Sequence, residues 1–200
     1  MNTILIGNRY DTGESVKVAI TDGTISGIQS CAESDPTLAM IAPGFVDLQI
    51  NGYGGQEFND LELSVDDVRR VSVQMDADGV TNYLPTLTSQ SYEMMHHAFS
   101  VMHEALCTDV DVQRRVVGFH MEGPYMSAED GPRGAHPVQH MRPPQWDEFC
   151  RLQEAAGGNI RILTMSPEYD GSAEFISKVA NSGVLVSIGH TSANSDQIKA

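Results

Sequence analysis

From Ile41 onward, short apolar runs alternate with segments of helical periodicity. That alternation restricts the chain to an α/β architecture built on a parallel sheet. Strands are expected over residues 41–50, 80–86, 115–122, 160–165 and 184–188. Between them, Ser64-Val65-Asp66-Asp67 has the form of a capping box, opening a helix that runs to about Asp78 and stops at Gly79. Residues 90–107 form the next helix. Pro144 suits the first turn of another, with Trp146, Phe149, Leu152 and Ala156 on one face. A helix over 173–181 closes at Gly183, and a last one begins within 192–200.

Five βα units can build an open doubly wound sheet or part of a closed barrel. The open form binds phosphate through a glycine-rich turn after its first strand. Here Asn51-Gly52-Tyr53-Gly54-Gly55 has glycines at the wrong spacing. Polar residues instead cluster where the strands end: Asp47, Gln49 and Asn51, Thr86 and Thr88, His120 and Glu122, Thr164, and His190. In (β/α)8 barrels the active site is built at that face. A complete barrel takes about 250 residues, so residues 41–200 are expected to be its N-terminal part, about five of eight units. Residues 1–40 read as a separate β-rich segment. Asp22-Gly23 between two alternating apolar runs is a hairpin signal.

Twelve basic against 27 acidic residues give a net charge of −15, which argues against nucleic acid or an anionic membrane surface as partner. Cys31, Cys107 and Cys150 are far apart and in no metal or redox spacing, as expected of reduced thiols in a cytoplasmic protein. The opening residues lack the basic region and long apolar run of a signal peptide, and no window reaches the length of a transmembrane helix. A Gly-x-Ser-x-Gly elbow and a Walker loop are both absent from the sequence.

The chemistry-bearing stretch is residues 116–137. An apolar run ends in His120-Met121-Glu122, Gly123-Pro124 stops the strand, and a polar loop delivers His136. A carboxylate at the end of a buried strand needs a compensating cation or hydrogen bonds. Glu122 and His190 each follow an apolar strand and would face the same barrel mouth. Carboxylate and imidazole suit zinc or ferrous iron, although spacing alone equally allows two buried polar groups with ordinary partners. His136 could orient a substrate or a catalytic group, or lie exposed on its loop. His120 is expected to pack behind the site. His96, His97, His103 and His140 read as surface residues.

At these residues the chain resembles the N-acetylglucosamine-6-phosphate deacetylases of the amidohydrolase superfamily. The resemblance rests on Ala42-Pro-Gly-Phe-Val-Asp-Leu-Gln-Ile-Asn-Gly-Tyr-Gly-Gly55, His120-Met-Glu-Gly-Pro-Tyr125, Arg133-Gly-Ala-His-Pro137 and Gly189-His-Thr-Ser-Ala193, in that order. It implies a metal-dependent barrel over residues 41–200, beside a small β-sandwich to which residues 1–40 contribute. Glu122 and His190 would be metal ligands, and Ala135 and His136 the substrate-contacting pair. Many amidohydrolases carry a His-x-His pair where this chain has Gln49-Ile50-Asn51, so one divalent ion, zinc or iron, is expected rather than two. The implied substrate is a small-molecule amino sugar phosphate, which loses its N-acetyl group as acetate, and the implied assembly is a homodimer. No catalytic residue is assigned within the chain. The general-base aspartate, a further metal-binding histidine and most phosphate contacts would come from strands beyond residue 200, so the chain is expected to be a truncated piece of the enzyme. Competing readings are another amidohydrolase acting on a related amino sugar phosphate or cyclic amide, and a non-catalytic fragment.

Overall fold

The computed structural model describes residues 2–199. It divides into two compact units, Met1–Gly44 and Phe45–Ala200.

The first unit is a four-stranded sheet. It contains β1 (Asn2–Arg9), β2 (Ser15–Thr21), β3 (Thr24–Ser30) and β4 (Met40–Ile41), in the order β3-β2-β1-β4. The first three strands form an antiparallel meander, and β4 pairs parallel with β1. Asp22 (φ 50°) and Gly23 (φ 80°) both take left-handed conformations at the β2–β3 turn, as a two-residue type I′ hairpin requires. The hydroxyl of Ser15 donates to Asn8 Oδ1 (2.6 Å) and accepts from the Asp35 amide (2.9 Å), which ties the long loop before β4 to the meander. Val16 and Val18 are buried, while Ile4, Leu5, Ile6, Ile25 and Ile28 are exposed.

The second unit begins with β5 (Phe45–Ile50) and a small antiparallel hairpin of β6 (Gly52–Tyr53) and β7 (Gln56–Glu57). Then follow α1 (Val65–Gln74), β8 (Val80–Leu87), α2 (Tyr92–Thr108), α3 (Val110–Arg115) and β9 (Phe119–Glu122). The unit continues with α4 (Trp146–Ala155), β10 (Ile160–Met165), α5 (Ser172–Asn181), β11 (Leu185–Ile188) and α6 (Ser195–Lys199). Strands β11-β10-β9-β8-β5 form one sheet in that order, with every neighbouring pair parallel. Consecutive strands lie side by side, the arrangement of successive βα units in a (β/α)8 barrel, here about five of the eight.

Local chemistry sets the element ends. Ser64 and Asp67 exchange side-chain-to-backbone hydrogen bonds in a complete capping box at the start of α1. The α-helix ends at Gln74, four residues before the expected stop, and tightens into a 3-10 turn at Met75–Asp78 before Gly79 (φ 75°) breaks it. The expected strand over 115–122 is shorter, confined to Phe119–Glu122. Asp109 caps the preceding segment by accepting from the Asp111 and Val112 amides, and buried Val112 anchors the resulting short helix α3. Val116 keeps only an isolated bridge to Tyr83.

The core lies between sheet and helices. Val68, Val71 and Met75 from the first helical segment, Met95, Phe99 and Met102 from α2, and Phe149 and Leu152 from α4 pack with Tyr83, Leu87, Phe119, Met121 and Leu163 of the strands. The methionines fill this core, as unbranched thioether side chains do. Phe45, Val46 and Leu48 on edge strand β5, and Leu185 on the opposite edge, are exposed. Because all five strands run parallel, the segments after Ile50, Leu87, Glu122, Met165 and Ile188 emerge at one end of the sheet.

Candidate metal centre

The end of β9 and two of those segments bring Glu122, His136 and His190 together. One donor atom from each lies within 4.8 Å of the others. Glu122 is the last residue of β9, and Gly123 (φ 89°) turns the chain away immediately after it. His190 follows β11 with φ 50°, a left-handed conformation unusual for histidine. His136 comes from the loop between β9 and α4. That loop closes against the His190 ring at Gly134, where an added Cβ would lie 3.3 Å from the imidazole.

Glu122 Oε1 stands 3.3 Å from His190 Nε2 and 3.9 Å from His136 Nε2. Glu122 and His136 are buried and His190 is half-buried. The imidazoles of His136 and His190 meet edge to face, with centroids 4.4 Å apart. A buried carboxylate facing two imidazoles is a donor set that suits a divalent ion of borderline softness. Typical zinc–ligand lengths of about 2.0–2.2 Å place tetrahedral donors roughly 3.3–3.5 Å apart. The Glu122–His190 pair has that spacing, whereas the His136 nitrogen stands wider.

Hydrogen bonding separates the two histidines. His190 Nδ1 lies 3.2 Å from the Pro132 carbonyl, which can only accept. Nδ1 is thus engaged as a donor, which leaves Nε2, facing Glu122, as the nitrogen able to bind an ion. His136 is reversed: the Ser89 amide, which can only donate, points at its Nδ1 (3.4 Å), and the Ser89 hydroxyl lies 2.9 Å from the same atom. Its proton is then on Nε2, directed into the site. Burial, together with nearby His190, lowers the His136 pKa below the ordinary histidine value, so this ring is neutral at pH 7.

His120 has both nitrogens engaged, Nδ1 with the Leu48 carbonyl (3.0 Å) and Nε2 with Thr164 Oγ1 (2.7 Å). Burial lowers its pKa as well. It bridges β5, β9 and β10, and the sequence expectation that it packs behind the site agrees with these contacts. Thr86 performs a similar task, accepting from the Ile50 amide (3.1 Å). Gln49 lines the cavity of about 410 Å³ that also contains His120, Glu122, Thr164 and His190. Asn51 lines a different cavity of about 580 Å³ with Asn59 and Thr88. Ala135 is exposed beside His136. Arg133 donates to the His136 carbonyl (2.8 Å) and pairs with Asp130, which folds the loop back on itself.

Two residues at this end escape a reading by spacing. Ser89 is a serine just past a strand, and Glu168 lies in Ser166-Pro167-Glu168 after β10. Their position at strand exits is the one signal that could have marked them.

No family model matches the chain. An N-acetylglucosamine-6-phosphate deacetylase of Bos taurus is 35% identical over 158 residues, covering 78% of this chain and 38% of the relative. An N-acetylgalactosamine-6-phosphate deacetylase of Shewanella is 29% identical over 195 residues, covering 92% of this chain and 47% of the relative. A solved structure of a mutant N-acetyl-D-glucosamine-6-phosphate deacetylase from Mycobacterium smegmatis, in complex with N-acetyl-D-glucosamine-6-phosphate, superposes with a TM-score of 0.82 at 26% identity. It covers 98% of this chain and 51% of that structure's chain. The chain thus spans less than half the length of these curated relatives.

Proposed function

The chain belongs to the N-acetylglucosamine-6-phosphate deacetylase family, and from that premise we propose that the protein hydrolyses the N-acetyl group of N-acetylglucosamine 6-phosphate. The products are glucosamine 6-phosphate and acetate. The observation that carries this reading is the convergence of Glu122, His136 and His190, one donor atom of each within 4.8 Å of the others, at the end of the sheet where the strands exit.

Glu122 and His190 would hold one divalent ion, zinc or iron. When bound, such an ion acidifies water and polarises an amide carbonyl. Glu122 offers a carboxylate at a fixed strand end, and His190 offers Nε2 while the Pro132 carbonyl orients its ring. His136 is no ligand in this reading. Its neutral ring presents Nε2–H as a donor to the substrate carbonyl oxygen, where negative charge develops during attack. Ala135, beside it on the exposed loop, contacts the sugar.

The substrate is a small molecule, the assembly a homodimer and the compartment the cytoplasm. The three free cysteines accord with a reducing compartment. Among the described residues no helix is long and apolar enough to cross a membrane. The similarity to an N-acetylgalactosamine-6-phosphate deacetylase favours one second reading, the galacto epimer as substrate. Acetate release by the full-length protein, measured with both 6-phosphates and with unphosphorylated N-acetylglucosamine, tests this. A higher kcat/KM for the gluco 6-phosphate is expected. Preference for the galacto compound would shift the reading to the epimer, and no release from either phosphate would overturn it.

A further inference from the structure

We propose that Glu168 is a positioning residue for the metal centre, holding His190 in its left-handed conformation so that Nε2 faces Glu122. The inference rests on the metal reading of Glu122 and His190.

His190 adopts φ 50°. A residue other than glycine holds such a conformation only when its surroundings enforce it. The enforcing contacts come from both sides. Upstream, Gly189 donates to the Met165 carbonyl (3.1 Å). At His190 itself, the carbonyl accepts from the Ser127 amide (3.0 Å). Downstream, the two following residues converge on one oxygen, Glu168 Oε2. It accepts from Thr191 Oγ1 (2.8 Å), the Ser192 amide (2.8 Å) and Ser192 Oγ (3.1 Å).

Glu168 is itself anchored. Its amide donates to Ser166 Oγ (3.4 Å), and that hydroxyl donates to Thr191 Oγ1 (3.1 Å). The next residue, Tyr169, donates its hydroxyl to the Met126 carbonyl (2.8 Å). The segment after β10 is thereby fastened to the loop that leaves Glu122 and to the loop that carries His190. Three donors on one carboxylate oxygen form a charge-assisted clamp that a neutral side chain cannot match. None of the mechanistic groups touches Glu168, so its effect would travel through residues 191 and 192.

The test compares the full-length protein with Glu168→Gln, Glu168→Ala and Thr191→Val. Zinc affinity is measured by competition with a chelating dye, and coordination geometry by the visible absorption of the cobalt-substituted protein. The wild type is expected to bind one ion per chain. Both Glu168 variants should bind zinc about 10- to 100-fold more weakly and show a changed cobalt spectrum, with circular dichroism unchanged. Thr191→Val, which removes one of the donors, should give an intermediate loss and serves if Glu168→Ala fails to fold. Folded variants with wild-type affinity and cobalt spectrum would overturn the role of Glu168 alone. A wild type that binds no metal, with Glu122→Gln indistinguishable from it, would overturn the metal reading and this inference with it.

Discussion

His190 Nε2 lies 3.3 Å from Glu122 Oε1, and the Pro132 carbonyl accepts from Nδ1 of the same imidazole. One ring is thus aimed by a loop from one βα unit at a carboxylate fixed by the strand of that unit. If the pair holds an ion, removing either side chain should abolish tight binding. Glu122→Gln and His190→Ala are each expected to lower metal content at least tenfold while far-UV circular dichroism stays native. Elemental analysis of the purified variants checks this.

His136 should behave differently from both. With Nδ1 committed to Ser89, its Nε2–H is a donor rather than a ligand. His136→Asn is expected to retain the metal and to lose about 10²- to 10³-fold in kcat, the usual effect of removing one donor to a developing oxyanion. Loss of metal in this variant, in step with loss of activity, would make His136 a third ligand instead.

Glu168 carries a pH prediction. Burial pushes its carboxyl up, but hydrogen bonds, from Ser127, Thr191 and the Ser192 amide among others, outweigh it and hold the pKa down to about 2, against 4.5 for an ordinary glutamate. A folded pKa below the unfolded one stabilises the fold above the unfolded value, and that stabilisation is lost as pH falls toward the folded one. The window is therefore pH 4.5 down to about 2. The contribution is roughly 2 kcal/mol once solvent screening is allowed for. Glu168→Gln should flatten the decline in urea-unfolding free energy across that range; an unchanged decline would contradict it.

The capping box offers a test of the fold alone. Ser64 accepts from the Asp67 amide (3.3 Å), and Asp67 accepts from the Ser64 amide (3.0 Å). Ser64→Ala should cost about 1 kcal/mol in chemical denaturation and leave metal content untouched.

The elements legible from residue order were those with a local cause. The Asp22-Gly23 turn, the Ser64–Asp67 box and the Gly79 stop each depend on neighbours a few residues away, and each stands in the structure. Helix α3 was not legible, because Val110–Arg115 has too few residues for a period and depends on the Asp109 cap and the burial of Val112. Glu122 and His190 could be picked out as polar residues ending apolar strands. The burial of His136 could not, since only the returning loop and the distant Ser89 create it. Glu168 offered only its place past a strand exit, because its partners Ser127, Thr191 and Ser192 come from two other loops that meet it only when the sheet forms.

The central claim is that this chain carries part of a metal-dependent deacetylase site. The most direct measurement is acetate release from N-acetylglucosamine 6-phosphate by the full-length protein before chelation, after chelation, and after zinc or ferrous iron is restored. The account predicts acetate and glucosamine 6-phosphate in equal amounts, loss of both on chelation, and recovery with one of the two ions. Turnover that survives complete metal removal, or no acetate from the metal-loaded protein, would contradict it.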